Sequence, residues 1–108
     1  MVAGAHAEKV AQSAEGLLIR LAESIREFEA RLDPEVEVGM SLASFGQTIT
    51  IHVKAVGHID PNLIVIEGFT AAEEPVRLVQ HMSQLSFLLM SVPRLAPETP
   101  RQPIGFSV

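Results

Sequence analysis

The chain of 108 residues contains no cysteine, no tryptophan and no tyrosine. Without thiols it can build neither a disulfide framework nor a thiolate metal site, which fits a reducing compartment. Phenylalanine, with five residues, is the sole aromatic type, so the residues most enriched at stacking platforms and binding hot spots are missing. Basic residues are few as well: eight Lys and Arg against thirteen Asp and Glu, for a formal charge of −5. They are scattered along the chain, whereas a sequence-independent grip on nucleic acid needs them clustered; no nucleic-acid partner is expected. No apolar run reaches the roughly 20 residues of a membrane span, and no membrane partner is expected. The opening MVAGAHAEKVAQSAEG lacks a basic leader followed by an apolar core, so it does not read as a secretory signal. The expected location is the cytoplasm.

What the chain does have is apolar residues. They make up 47% of the sequence, and the mean hydropathy is +0.28. A single domain of this length has a small interior. The segment Val76–Pro93, VRLVQHMSQLSFLLMSVP, carries one charge, Arg77. Together with an amphipathic N-terminal segment, it exceeds what one small interior hides easily. A second copy of the chain is the simplest cover, and a twofold homodimer the commonest arrangement.

The chain reads as one domain over 1–108, in three parts. Over 5–32, Ala7, Ala11, Ala14, Leu18, Leu21, Ile25, Phe28 and Leu32 recur at alternating spacings of four and three, the period of a helical seam. Leu18, Leu21, Ile25, Phe28 and Leu32 are the candidate dimer interface. Asp33-Pro34 ends the helix, because the residue before proline is pushed out of the α region. Over 35–92 the period falls to two. Glu35–Ala43 and Thr48–Val56 alternate apolar and polar residues around Ser44-Phe45-Gly46-Gln47, the pattern of a hairpin. Leu63–Phe69 reads as an interior strand. Val76–His81 suits a fourth strand and Ser83–Val92 a C-terminal helix, although one helix over the whole run has the same spacing support. Over 93–108, Pro93, Pro97, Pro100 and Pro103 exclude regular helix or central strand, leaving an extended arm with an apolar end. The expected fold class is therefore α+β: a long N-terminal helix, an antiparallel sheet of three to four strands, a C-terminal helix and a proline-rich arm.

No catalytic, cofactor-binding or metal signature stands out. The histidines form no HxH or HExxH spacing. His52, His81 and Glu67 would meet only if their strands were neighbours. Ser83, His81 and Asp60 can be written as a triad, but Ser83 lacks the GxSxG elbow and no oxyanion hole is evident. Glu35 and Glu37 point the same way from one strand without a visible cleft. The cluster Gln80, His81, Ser83 and Gln84 interrupts the apolar run. It reads either as a small polar pocket, or recognition surface, at the strand-to-helix junction, or as a structural set that caps the helix and ties the arm's backbone to the body.

The run RLVQHMSQLSFLLMSVPRL followed by PRQPIGF resembles the closing part of a small bacterial domain family of unknown function. The likeness covers Val36 to Phe106 and is strongest at Leu78–Leu89 and Ile104–Phe106. It implies a recurring structural role for Gln80, His81, Gln84 and the Ile104-Gly105-Phe106 end, and brings no activity. The leading functional expectation is a non-enzymatic, homodimeric protein-interaction or assembly module without cofactor. A second protein is an alternative partner. The competing readings are a small-ligand-binding or enzymatic domain with its pocket near Gln80–Gln84, and an acidic secretion-chaperone-like protein.

Overall fold

The computed structural model describes residues 12–44 and 46–107, the side chains of Ala43 and Ser44 excepted. The helix, α1, spans Ala14–Ala30. Ser13 caps it: the hydroxyl accepts from the Gly16 backbone N–H at 3.3 Å, satisfying one of the orphan amides of the first turn. The expected start at residue 5 lies outside the described residues, and the helix stops two residues short of Leu32. Its last turn closes with the Arg31 amide on the Phe28 carbonyl at 3.2 Å, before Asp33-Pro34 leads the chain away. Ala14, Leu18, Ala22 and Ile25, spaced by four, four and three, form its buried stripe.

Among the described residues six strands make one sheet: β1 Val36–Ser44, β2 Gln47–Ile59, β3 Leu63–Phe69, β4 Pro75–His81, β5 Leu88–Pro93 and β6 Gly105–Ser107. Their order is β4-β3-β2-β1-β5, all antiparallel, with β6 parallel to β2. The long strand β2 shares one edge between two partners: β1 pairs with it over residues 47–52 and β6 over 55–57. A bulge between Val53 and Ala55 interrupts its pairing with β3 on the other side.

One face of the sheet carries Val38, Met40, Leu42, Ile51, Val56, Ile64 and Ile66. These pack with Ala14, Leu18 and Ile25 of α1 and with Ile104 of the C-terminal arm as the core. Each large aliphatic side chain buried there contributes about 1.5–3 kcal/mol over its exposed state. Among the described residues no helix packs on the opposite face.

Two expectations are corrected. The sheet has six strands, not three or four. The segment expected as a C-terminal helix is a 3₁₀ turn, Met82–Gln84, followed by β5; among the described residues α1 is the single α-helix, and the fold is mostly sheet. The spacing of Leu78, Met82, Leu85 and Leu89 serves a different purpose. Met82, Leu85 and Phe87 pack against the core as the chain crosses the helix-bearing face from β4 at one edge to β5 at the other. There β5 gives β1's outer backbone groups their partners, which a helix would have left unmade.

Candidate functional site

On the face opposite α1, β1 and β2 bring Glu37 and His52 together. Their positions are diagonal, since His52 pairs with Gly39. A Cβ on Gly39 would meet Val92 Cγ1 at 2.6 Å. His52 Nδ1 lies 2.7 Å from Glu37 Oε2, with the imidazole almost fully buried and the carboxylate about three-quarters so. A carboxylate only accepts, so Nδ1 carries the proton and donates to it. Nε2 is then the ring nitrogen available to another group. No hydroxyl bonds to His52 among the described residues, so the pair supplies two parts of a nucleophile relay without the third.

The arm closes over this pair. The Leu95 amide donates to Glu37 Oε2 at 3.4 Å. Arg94 donates to the carbonyls of Pro34, Ala96 and Thr99. Arg101 Nη1 donates to those of Asp33 at 3.0 Å and Val36 at 2.8 Å. The two arginines thus staple the arm to the turn between α1 and β1. Between arm and sheet lies a cavity of about 270 Å³, to which Glu37, His52, Lys54, Phe69, Arg94, Leu95 and Arg101 contribute. Past it, Ile104 is buried in the core, and the Phe106 ring receives the Arg26 guanidinium 4.7 Å from its centroid.

The cluster singled out in the apolar run is built differently. His81 and Ser83 are exposed and bond to each other, His81 Nδ1 lying 2.8 Å from Ser83 Oγ and 3.1 Å from the Ser83 amide. They cap the 3₁₀ turn. Gln84 is exposed. Gln80 is half-buried beside Ile64, and its Oε1 is buried with no hydrogen-bond partner among the described residues. None of the four lines the cavity beneath the arm, where arginines and Glu37 hold the arm instead.

The other candidate groupings do not assemble. Asp60 bonds to His58 at 2.8 Å, away from the Ser83–His81 pair. β3 separates His52 from His81, which pair with its opposite ends at Phe69 and Leu63. Glu67 faces Arg77 at 3.2 Å. Among the described residues, no group of three or more His, Asp or Glu could hold a metal ion. Of the helical interface candidates, Leu18 and Ile25 are spent in the chain's own core, with Leu21, Phe28 and Leu32 packed at its margin. No helix among the described residues is long and apolar enough to cross a membrane.

The alternation of Thr48–Val56 puts His52 on a polar strand face and shows nothing that would cover it. The available signal was the conjunction of Glu37, Gly39 and His52 on one strand pair. What alternation could not reveal is that the arm folds back to bury that face.

DUF6173, described as a family of unknown function, matches residues 6–107, and the chain belongs to that family. No match was found among curated proteins or solved structures.

Proposed function

We propose that this chain is a non-enzymatic interaction module of the cytoplasm that joins two copies of itself through the free edge of β4. One observation carries the reading. β4 is an outermost strand of seven residues, with Pro75 only at its start, and its outer backbone groups pair with nothing among the described residues. An edge of this length without an interior proline, a bulge or an unpaired charge is a ready template for another strand. Its one charge, Arg77, is already neutralised by Glu67 within the chain. Val79, on the open face of the same strand, is 47% exposed.

A second copy fits that edge in a way that suits a twofold axis. Antiparallel pairing of β4 with itself lets each copy supply the donors and acceptors that the other lacks. In a register centred on Leu78, Arg77 faces Val79 and no like charges stand directly opposite. The other edge suits this role less well, because β5 ends in Pro93, which has no N–H, and runs straight into the stapled arm.

Sedimentation of the full chain and of Val79→Lys tests the reading. The parent is expected at twice the 11.7 kDa chain mass. The variant, which places a lysine on the pairing edge, is expected at the single-chain mass with an unchanged circular dichroism spectrum. A parent that stays monomeric at tens of micromolar overturns the proposal, as does a Val79→Lys variant that remains dimeric.

A further inference from the structure

We infer that the cavity under the C-terminal arm is a binding site for a small organic anion, an apolar or aromatic body bearing a carboxylate. The inference is independent of the pairing proposed for β4, since the cavity is lined by β1, β2, the end of β3 and the arm, and by no residue of β4. It begins from charge. The chain has eight Lys and Arg in a total balance of −5, yet Lys54, Arg94 and Arg101 converge on this one cavity. None of the three has a carboxylate within ion-pairing distance among the described residues. Both arginines are held by backbone carbonyls, which satisfy N–H donors without cancelling the charge. The Lys54 ammonium lies 5.9 Å from the centroid of the Phe69 ring, a contact that again leaves its charge in place. The one acid present, Glu37, is already engaged by His52 and by the Leu95 amide.

Three cations against one carboxylate leave a positive balance around a partly enclosed space, which favours an anion there. The remaining walls choose its body. Phe69, Leu95 and the prolines of the arm supply apolar surface, and a recess that is mostly apolar with a few convergent polar groups is the ordinary form of a small-molecule site. The cavity measures about 270 Å³, and an engineered cavity of about 150 Å³ is known to hold benzene, so one ring and its carboxylate have room. Lys54 sits at the bulge of β2, where the local departure from regular pairing re-aims a side chain. This places the ammonium beside the ring instead of along the strand's regular row.

The probe is benzoate, with benzamide as its neutral counterpart and inorganic phosphate as an oxyanion without the ring. Each is titrated into the full chain and followed by amide chemical shifts. Benzoate is expected to give saturable shifts confined to the neighbourhood of His52, Lys54, Phe69 and Leu95. Benzamide and phosphate are expected to bind at least about tenfold more weakly, the loss of one charge-assisted hydrogen bond or of the apolar contact. Lys54→Met, at an exposed side chain that holds no part of the arm, is expected to weaken benzoate by about tenfold while the amide spectrum elsewhere stays unchanged. Lys54→Arg should restore most of the binding. Absence of saturable shifts at these residues overturns the site. Equal binding of benzamide overturns the anion, equal binding of phosphate overturns the organic body, and unchanged binding in Lys54→Met overturns the role of the cation.

Discussion

The α-carbon of Gly68 faces the backbone of His52 so closely that a Cβ added there would stand 2.1 Å from the His52 carbonyl oxygen and 2.7 Å from Ile51 Cγ2. Gly68 pairs with Val53 at the edge of the bulge, so the contact holds β3 against β2 directly behind the buried imidazole. Backbone cannot yield as a side chain can. Gly68→Ala should therefore cost about 3 kcal/mol or more, whereas Gly39→Ala, which meets the movable Val92 side chain, should cost about 1–2 kcal/mol. Urea midpoints of the two variants check the order. Equal losses would contradict the backbone contact.

Glu37 links three elements at once. Removing its carboxylate in Glu37→Ala leaves the His52 Nδ1–H and the Leu95 amide without their acceptor. The expected loss is about 1–3 kcal/mol, with faster amide exchange at Leu95. Glu37→Gln keeps a neutral acceptor and should lose less than half as much. A Glu37→Ala chain with parent stability would show that the arm is held without this carboxylate.

Ile104 anchors the end of the arm in the core. Truncating a buried isoleucine to alanine costs about 2–5 kcal/mol in a rigid site, but a terminal arm can detach before the body unfolds. Ile104→Ala is accordingly expected to accelerate amide exchange in Ala55–Gly57, the part of β2 that β6 covers, more than it lowers the global midpoint. Loss spread evenly over the whole sheet would place Ile104 in the body's own cooperative unit.

Gln80 buries a carbonyl oxygen without a partner. An unsatisfied buried acceptor costs about 1–3 kcal/mol, so Gln80→Leu, close in volume and beside Ile64, should raise the stability of the Val79→Lys background by about 1 kcal/mol. The comparison is a urea melt of the double variant against Val79→Lys alone. A fall in stability would show that the amide is satisfied in the folded chain.

Strong alternation made the strands legible. Where one face is buried and the other polar, as in Val36, Val38, Met40 and Leu42 against Glu37 and Ser41, period and burial agree. The apolar β3 was legible from its continuity between turn residues. The C-terminal half of the Val76–Pro93 run was not. Met82, Leu85, Phe87 and Leu89 are partly buried for two reasons, first by a diagonal crossover and then by an edge strand, and their spacing matches a helix without one being formed. The site failed to show for a related reason. Glu37 and His52 look like solvent-facing residues until Arg94 and Arg101, some forty to sixty positions later, bind the carbonyls of 33–36 and bring the arm across them. Contacts between side chains and distant backbone leave no period in a sequence.

The absence of cysteine provides the most direct test of pairing through β4, because a chain with one introduced cysteine can form a disulfide only with another copy. Single cysteines are placed in turn at Val76, Arg77, Leu78, Val79 and Gln80 of β4, and at Leu88 and Ser91 of β5, and the chains are mildly oxidised. Facing residues of paired strands fall within disulfide reach. The expected result is dimer trapping at β4 positions around the twofold axis, with little at β5. Preferential trapping at Leu88 or Ser91, or no trapping along β4, would contradict assembly through that edge.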